Sequence, residues 1–444
     1  MSGEGRSFLG RSVSRRTFLS GAAVAAAGLA VSSCGPSAAL VGGGARSIDY
    51  WNLFGGGDGV RMVEMENQFR RSHPGITLNA VTLSWGNPYY TKLSMAIAGG
   101  SPPDVAVMHL AKMGAYAPAG LLQELRPEEL SRYGIGPDKF LPQVLDFAKY
   151  DGRIYAVPLD THPFVQYYNV DICRKAGVLD SGGNLVPMDS PGRVVKVLEK
   201  VKKVTGQWGV SFYPNDSAGP WRLFLTLYGQ MKKGAPILSH DAKRVVMDDA
   251  KAERALEFMT ELALKYRVMP INMDYGGSVA LFQNGQAGLY WNGEWEVTTF
   301  QAAKMNFNMV PFPKVYTYRA AQADHHSFII PKGVDPAHKK TALEFISFML
   351  KDSYVWAQGG HIPAYQPVVQ SEKYRHLEPQ SNYAGVAKYV VTDPIAWFSG
   401  SGSIMESHAS GIFQAVMAGR MSPRQGVRQF RAYLQQEVSL PKPY

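Results

Sequence analysis

Strand-like and helix-like hydrophobic patterns alternate between residues 48 and 108. Apolar and polar positions predict strands at 48–53, 76–83 and 105–108, separated by helical segments at 60–71 and 89–98. Breaks rich in glycine and proline follow the first strand (GGGDG, 55–59) and the second helix (GGSPP, 99–103). This β-α-β-α-β order is typical of a parallel sheet covered by helices, and it predicts an α/β fold.

Two later helices have recognisable start signals. Asp335 precedes a segment, 336–350, whose apolar residues recur at helical spacing. Ser422 and Pro423 open the last helix, where Gln425 stands at the position that completes a capping box. We therefore expect helices to begin at both points.

The N-terminal region has the pattern of an export signal. Arg15 and Arg16 form a twin-arginine signature, and a short apolar stretch follows at 21–31. The residues VSSC, 31–34, resemble a bacterial lipobox that ends in an acylated cysteine. The alternative is a chance arginine pair before an alanine-rich helix. We expect a signal peptide at 1–33, a lipid on Cys34 and a flexible tether at 34–46, which places the mature protein outside the cytoplasm on a bacterial cell membrane.

Composition excludes several classes of protein. The chain has 444 residues, enough for two domains, and a formal net charge of +10. Its basic residues occur in no run longer than a pair, such as Arg70-Arg71, so they do not form the basic stripe of a nucleic-acid-binding protein. Of the two cysteines, Cys34 is assigned to the lipid, and we expect Cys173 to be a small buried hydrophobe.

The sequence offers no convincing cofactor or metal site. The glycine-rich run after the first strand would need a glycine at position 60 to match a dinucleotide fingerprint, and that residue is Val60. His325 and His326 have no acidic or histidine partner at ligand spacing. We therefore expect neither a cofactor nor a metal ion.

Candidate binding residues lie near the ends of predicted strands, where ligands bind in open α/β sheets. Phe54 and Asp58 flank the first glycine-rich loop, Trp85 and His109 follow the second and third strands, and Trp221 stands in a break before an apolar helix. Aromatic rings and hydrogen-bonding groups suit a sugar, which has apolar C–H faces and a rim of hydroxyls. The alternatives are a helix cap for Asp58, a structural hydrogen bond for the histidine and core packing for the tryptophans.

Four stretches, taken in order, resemble the extracellular solute-binding proteins of family 1, which serve ABC sugar importers. The first, 90–125, contains KL (92–93), AGG (98–100), PDV (103–105) and AGLL (119–122). The second contains DGRIYAVP (151–158), YYN (167–169) and AG (176–177). The third contains FQNGQA (282–287) and GEW (293–295), and the fourth ALEFI (342–346) and GGHIPA (359–364). The resemblance spans nearly the whole mature chain.

The resemblance implies a two-lobed periplasmic-binding-protein-like fold of type II, with the ligand cleft between lobes joined by hinge crossovers. It implies crossings near Pro158, near Pro311 and at 389–392. The first lobe would then comprise 47–158 and 312–390, and the second lobe 159–311 and 391–444. Pro158 and Pro311 end apolar runs, which agrees with this division.

The resemblance also adds candidate ligand contacts. Asp160 and His162 follow the first crossing, beside which the family places ligand contacts. Trp295 occupies the family's Gly-x-Trp position, and Trp397 lies where the family often offers another aromatic wall. The alternatives are a structural hydrogen bond for His162 and core packing for both tryptophans.

The expected function is capture of a carbohydrate (an oligosaccharide, an amino sugar or a glycerol-phosphate derivative) by a monomer that delivers it to an ABC permease. We expect no enzymatic activity, because the chain has neither a G-x-S-x-G nor an H-E-x-x-H motif. One alternative is an exported carbohydrate-active enzyme, for which Glu294 and Asp160 would be the paired carboxylates. Another is a sensor or cell-wall lipoprotein without a transport role.

Overall fold

Two sheets and eighteen helices form the part of the chain that the computed structural model describes, residues 46–442. The strands are β1 (Arg46–Asn52), β2 (Ile76–Thr82), β3 (Val105–His109), β4 (Lys149–Tyr150), β5 (Arg153–Ile154), β6 (Val157–Pro158), β7 (Asp160–Asn169), β8 (Trp208–Ser211), β9 (Ala287–Gly293), β10 (Phe307–Pro311), β11 (Ala321–Asp324), β12 (His326–Ile329), β13 (Ile362–Pro363) and β14 (Val390–Val391). The short pair β4 and β5 forms a separate two-stranded ribbon.

Helices cover both sheets. They are α1 (Gly56–Ser72), α2 (Asn87–Ala98), α3 (Met113–Tyr116), α4 (Pro127–Arg132), α5 (Pro142–Phe147), α6 (Val170–Lys175), α7 (Pro191–Thr205), α8 (Gly219–Met231), α9 (Asp249–Thr260), α10 (Tyr275–Gln283), α11 (Val297–Ala302), α12 (Pro336–Lys351), α13 (Ser353–Gln358), α14 (Gln366–Val369), α15 (Glu372–Arg375), α16 (Gln380–Tyr383), α17 (Ile404–Met417) and α18 (Pro423–Ser439). The caps predicted for α12 and α18 are confirmed, including the reciprocal Ser422–Gln425 capping box.

The first sheet has the strand order β2-β1-β3-β12-β6. Strands β1, β2 and β3 are parallel, as the β-α-β-α-β pattern predicts, whereas β12 and β6 run antiparallel to their neighbours. The pairing of β12 with β3 places His326 directly opposite His109. Two residues that are more than 200 positions apart in the sequence thus meet at one end of the sheet.

The second sheet has the order β14-β11-β7-β9-β8, and β10 and β13 also pair with β7. The ten residues of β7 are nearly all buried, because four other strands hydrogen-bond along its length. Strand β9 ends at Gly293, so the residues that follow it, Glu294 and Trp295, leave the sheet beside the start of β7.

Two hydrophobic cores define two lobes. The first core draws on residues between 48 and 159 and between 328 and 368, and the second on residues between 164 and 321 and between 383 and 434, with Ile362 added to it. The division therefore differs from the predicted one, because 312–321 and 383–390 pack in the second core although the prediction placed 312–390 in the first lobe.

The chain passes between the lobes at Leu159–Asp160, at Asp324–His326 and in the region 362–383. The first crossing lies where it was predicted. The crossing predicted near Pro311 is wrong, because Pro311 ends β10, which pairs with β7 inside the second sheet. The crossing predicted at 389–392 is also wrong, since β14 pairs with β11 in the same sheet. Proline often ends a strand because it has no backbone N–H group to donate to the neighbouring strand. Its position therefore does not show where the chain passes from one lobe to the other.

The predicted signal peptide at 1–33, the lipidation site Cys34 and most of the predicted tether at 34–46 lie outside the described residues. Within 46–442 no helix is long and apolar enough to cross a bilayer. Cys173 is fully buried and has a free thiol, as expected.

Candidate functional site

A cavity of about 330 Å³ lies between the two lobes, beside the crossing strands. Both lobes contribute to its wall, which comprises Leu53, Phe54, Gly55, Asp58, Trp85, His109, His162, Asp216, Ala218, Arg222, Tyr275, Trp295 and His326. Six of the nine predicted binding residues are in this wall: Phe54, Asp58, Trp85, His109, His162 and Trp295. A larger surface depression of about 700 Å³, which includes Gln414 and Arg420, belongs to the second lobe alone. The interlobe cavity is the candidate site because aromatic and polar groups from both lobes converge on it.

Asp160 lies beneath the cavity and does not line it, so it is not the direct ligand contact that was predicted. Its side chain is fully buried. Its carboxylate lies 3.0 Å from Nδ1 of His162 and 2.7 Å from Nδ1 of His326, and it accepts a 2.6 Å hydrogen bond from the indole N–H of Trp356. Burial alone would raise the pKa of the Asp160 carboxyl, but His326, His361 and His162 hold that pKa well below its ordinary value.

His361 is the centre of a buried group of charges that the sequence analysis missed as a site residue. Its Nε2 lies 2.9 Å from Asp58, and its Nδ1 lies 3.1 Å from Asp160 and 3.0 Å from Glu294. Burial lowers the pKa of His361, but the surrounding carboxylates, Asp58 first, raise it well above its ordinary value. The ring stacks on Trp356 at a centroid distance of 4.2 Å. His361 is therefore an imidazolium that compensates carboxylates from three separate segments.

Asp58 interacts with this imidazolium. It does not cap a helix, which was the alternative for this residue. Helix α1 begins at Gly56 without any side-chain cap, and Asp58 stands in its first turn. On the far side of His361, burial raises the pKa of the Glu294 carboxyl to about 7, against the lowering effect of the imidazolium. Asp58 from the first lobe and Glu294 from the second thus contact the same ring.

Trp295 lies in the cavity wall on the second-lobe side. Its indole N–H donates a 2.6 Å hydrogen bond to the hydroxyl of Tyr275, and the guanidinium of Arg222 lies 4.9 Å from the ring centroid. The ring also packs directly over Gly293, where a Cβ atom would come closer than 3.0 Å to three ring atoms. The Gly-x-Trp pattern therefore has a steric reason, since only glycine leaves room for the indole.

The first lobe supplies a second group of rings. Trp85 is 40% exposed and meets the ring of His109 edge-to-face at 6.2 Å. Phe54 is buried and contacts His326 edge-to-face at 4.8 Å. Desolvation by burial lowers the pKa values of His109 and His162 well below the ordinary range, so both rings are neutral at physiological pH.

Two predicted tryptophans lie elsewhere. Trp221 is fully buried in the second core, with the rings of Phe224, Phe413 and Phe430 within 6.4 Å of it, and its indole N–H donates to Asp393. Trp397 packs on the second core beside Phe398 and is not in the cavity wall. Both tryptophans therefore pack on the second core, which was the alternative to ligand contact.

Three polar residues of the wall were missed as ligand contacts: Arg222, Tyr275 and Asp216. Asp216 accepts hydrogen bonds from the backbone N–H groups of Ala218 and Gly219, which fixes the loop before α8. The sequence patterns indicate His326 only as a possible metal ligand. No local signal marks these positions, because each reaches the cavity through strand pairing or helix packing between distant segments.

Donor atoms of Asp160, His162, His326 and His361 lie within 4.8 Å of one another, a grouping that could hold a metal ion. Linear spacing could not show this group, because its members come from three crossing segments. The Nδ1 atoms of all three rings already face the Asp160 carboxylate at 2.7–3.1 Å. His162 and His326 are hydrogen-bonded to that carboxylate, and His361 forms an ion pair with it.

Comparison with known proteins gives one family and a consistent fold. The family model described as bacterial extracellular solute-binding protein matches residues 64–377. The arabinooligosaccharide-binding protein of Bacillus subtilis (strain 168) is 23% identical over 379 residues, which cover 80% of this chain and 82% of that protein. The maltotriose-binding protein of Pyrococcus abyssi is 22% identical over 50% of this chain and 44% of its own length.

Solved structures agree in architecture. The GacH receptor of Streptomyces glaucescens, solved unliganded and with acarbose, has a TM-score of 0.75 at 18% identity and covers 89% of this chain and 99% of its own. A substrate-binding protein from Listeria monocytogenes in complex with cycloalternan has a TM-score of 0.74 at 22% identity, with coverages of 90% and 100%. The predicted two-lobed, type II periplasmic-binding-protein-like fold is confirmed.

Proposed function

Because the chain belongs to the bacterial extracellular solute-binding protein family, we propose that it captures a carbohydrate in the interlobe cavity and delivers it to an ABC permease. The observation that carries the proposal is the composition of the cavity wall. Aromatic rings from both lobes, Trp85 and Trp295 among them, stand beside hydrogen-bonding side chains at the crossing strands. Rings of this kind pack on the C–H faces of a sugar, and the polar groups bond its hydroxyls. The relatives named for arabinooligosaccharides and maltotriose support the same ligand class.

Because crossing segments join the two lobes, we expect the lobes to close around the ligand. A solute that contacts both Asp58 and Trp295 bridges the lobes, and it favours the closed form only if it binds that form more tightly than the open one. Small-angle X-ray scattering should therefore show a smaller radius of gyration on addition of a saturating carbohydrate. The closed monomer would then dock on the permease, whereas a sensor of the same fold would close without a transport partner.

The test of ligand class is calorimetric titration with arabino-oligosaccharides, maltotriose, maltose and acarbose. We expect at least one of these to bind, and Trp295→Ala to weaken its binding by about 1–3 kcal/mol, the scale of losing one aromatic platform. Trp397→Ala is the matched control, because Trp397 belongs to the same lobe and is absent from the cavity wall. Binding that is equally weakened by both changes, or by neither, would contradict the placement of the site.

The enzyme alternative is less well supported than the binding function. Its two carboxylates, Asp160 and Glu294, are fully buried beneath the cavity, and neither is in the wall. Both lie close to the imidazolium of His361 and are not free to face a glycosidic bond. Prolonged incubation of the titrated oligosaccharides with the protein, followed by chromatography, should return them unchanged.

We extend the proposal to export and anchoring, on the sequence pattern of residues 14–34. A twin-arginine signal would carry the folded protein across the membrane, and a lipid on Cys34 would hold it there. Cys34→Ala should release the protein into the soluble fraction, and replacing Arg15 and Arg16 by Lys should retain the precursor in the cytoplasm. Unchanged membrane attachment of the first variant, or normal export of the second, would contradict the corresponding step.

A further inference from the structure

Three imidazole rings form the floor of the cavity. His109, His162 and His326 all belong to its wall, and their centroids are 4.1–5.4 Å apart. In each ring Nδ1 is engaged by Tyr90 or Asp160, neither of which is in the wall. The Nε2 atoms are therefore the polar atoms that these rings offer to a solute.

The partners of Nδ1 determine what each Nε2 can do. Nδ1 of His162 and Nδ1 of His326 lie 3.0 and 2.7 Å from Asp160, an ionised carboxylate that can only accept. Both Nδ1 atoms therefore carry a hydrogen, and a ring that holds this one hydrogen presents its Nε2 atom as a lone-pair acceptor. A solute in contact with them must donate hydrogen bonds.

The third ring has the opposite tautomer. The hydroxyl oxygen of Tyr90 accepts the backbone N–H of His109 at 3.0 Å and lies 2.6 Å from Nδ1 of the same residue. A hydroxyl that donates its hydrogen to Nδ1 leaves the hydrogen of the His109 ring on Nε2, and we assign this tautomer, in which Nε2 donates. The floor thus presents two acceptors and one donor, a pattern that matches hydroxyl groups, because a hydroxyl does both.

The charged groups of the wall also give no advantage to an anionic solute. Asp58 and Asp216 each bring a carboxylate to the cavity, and Arg222 brings the one guanidinium of the wall. The positive charge of Arg222 is already engaged electrostatically by Asp216. Because Asp58 is paired with His361 and Asp216 acts on Arg222, an anionic solute would meet no uncompensated cation in the wall.

From this arrangement we propose that the cavity selects a neutral, hydroxyl-rich solute and discriminates against anionic derivatives such as sugar phosphates and uronic acids. Asp160 serves as the positioning residue that fixes the acceptor tautomers of His162 and His326. The inference rests on the proposed function and narrows it, since glycerol-phosphate derivatives are then disfavoured ligands.

The test uses matched pairs of neutral and anionic probes. Glucose, galactose and maltose are titrated alongside glucuronate, galacturonate and glucose 6-phosphate, together with the oligosaccharides named above. We expect the neutral member of a binding pair to bind at least about tenfold more tightly, which corresponds to one or two unsatisfied polar contacts in the anion complex. Equal or tighter binding of an anionic probe would overturn the inference and leave carbohydrate binding intact. If no carbohydrate of either charge binds, the proposed function itself fails.

Variants test the role of Asp160. In Asp160→Asn the amide can accept from one ring and must donate to the other, so one Nε2 becomes a donor. The preference for the neutral probe should then fall roughly threefold to tenfold, a change in selectivity that a purely structural defect would not cause. An unchanged preference in folded Asp160→Asn would overturn the positioning role.

A second pair of variants covers the case in which Asp160→Asn does not fold. His326→Leu removes one acceptor, so we expect it to lower affinity for the neutral probe threefold to tenfold and to reduce the preference in the same way. His325→Leu is the matched control, because the neighbouring ring is also buried but stacks on Phe147 and is absent from the wall. Equal effects of the two changes on selectivity would overturn the inference.

Discussion

Gly293→Ala offers a test of the site that leaves every wall residue chemically intact. The added Cβ would come closer than 3.0 Å to Cζ3, Cη2 and Cε3 of Trp295, whereas ordinary contacts begin at 3.4 Å. The indole cannot remain where it is, because the obstructed atoms belong to a rigid ring and cannot move independently of one another. We therefore expect the substitution to displace the Trp295 side chain from the wall.

The magnitude follows from the interactions that hold the ring in place. Displacement breaks the 2.6 Å hydrogen bond to Tyr275, worth about 1 kcal/mol, and the contact with Arg222 at 4.9 Å, worth about 0.5–1 kcal/mol. It also removes the ring as a platform for the solute. Ligand affinity should fall by about 1–3 kcal/mol, close to the effect of Trp295→Ala, since both changes remove the same platform.

The assay is calorimetric titration of four proteins with the carbohydrate that binds best: wild type, Gly293→Ala, Trp295→Ala and the double variant. If Gly293→Ala acts only through the ring, the double variant should bind no more weakly than Trp295→Ala alone. Gly276→Ala is the control, because a Cβ at that helical position meets nothing within 4 Å. Additive losses in the double variant would refute the reasoning, as would wild-type affinity in Gly293→Ala.

Three further predictions concern stability and are measured by urea unfolding. Burial raises the pKa of Glu66 from 4.5 to about 7, so its ionisation opposes folding increasingly from about pH 4.5 to pH 7 and to the full extent above pH 7. Glu66→Gln should therefore stabilise by about 2–3 kcal/mol at pH 8 and hardly at pH 4.5, while Glu64→Gln, whose side chain is 42% exposed, should do neither. Trp221→Ala should destabilise by about 3–5 kcal/mol and leave ligand affinity unchanged; a loss of affinity in stable protein would return this residue to the site. His361→Phe should destabilise the protein by about 3–5 kcal/mol at pH 8, and by less at pH 6, because Glu294 takes up a proton there. A loss of stability that does not depend on pH would contradict the assignment of a positive charge to His361.

Local patterns predicted the local structure well. The strands expected at 48–53, 76–83 and 105–108 are β1, β2 and β3 within two residues at each end, because alternation and glycine-rich breaks are properties of neighbouring residues. The capping box at Ser422 and Gln425 is equally local. Candidates chosen at strand ends, such as His109, line the cavity because the carboxyl ends of parallel strands lie at one edge of a sheet.

Long-range pairing was beyond the sequence patterns. The true second crossing, at Asp324–His326, depends on β12 joining the first sheet opposite β3, and nothing near residue 325 indicates that partner. The sequence likewise did not show whether Trp221 is buried, because an aromatic residue before an apolar helix can pack in a core or in a cleft. The positions of α17 and α18, whose rings contact Trp221, place it in the core. His361 was part of a quoted motif, but its role depends on three carboxylates that come from other segments.

The same three carboxylates link the floor of the cavity to the geometry of the lobes. Asp58 belongs to the first lobe, Glu294 to the second and Asp160 to the first crossing, and each lies within 3.1 Å of the His361 ring. A buried charge that loses its partner costs several kcal/mol, so separating the lobes at this point must either admit water to the ring or move His361 with one of them. Because Asp58 and Trp295, which follows Glu294, are both in the wall, a solute that holds them together also preserves these contacts. Ligand binding and lobe closure therefore act on the same buried cluster, and a change at His361 should alter both.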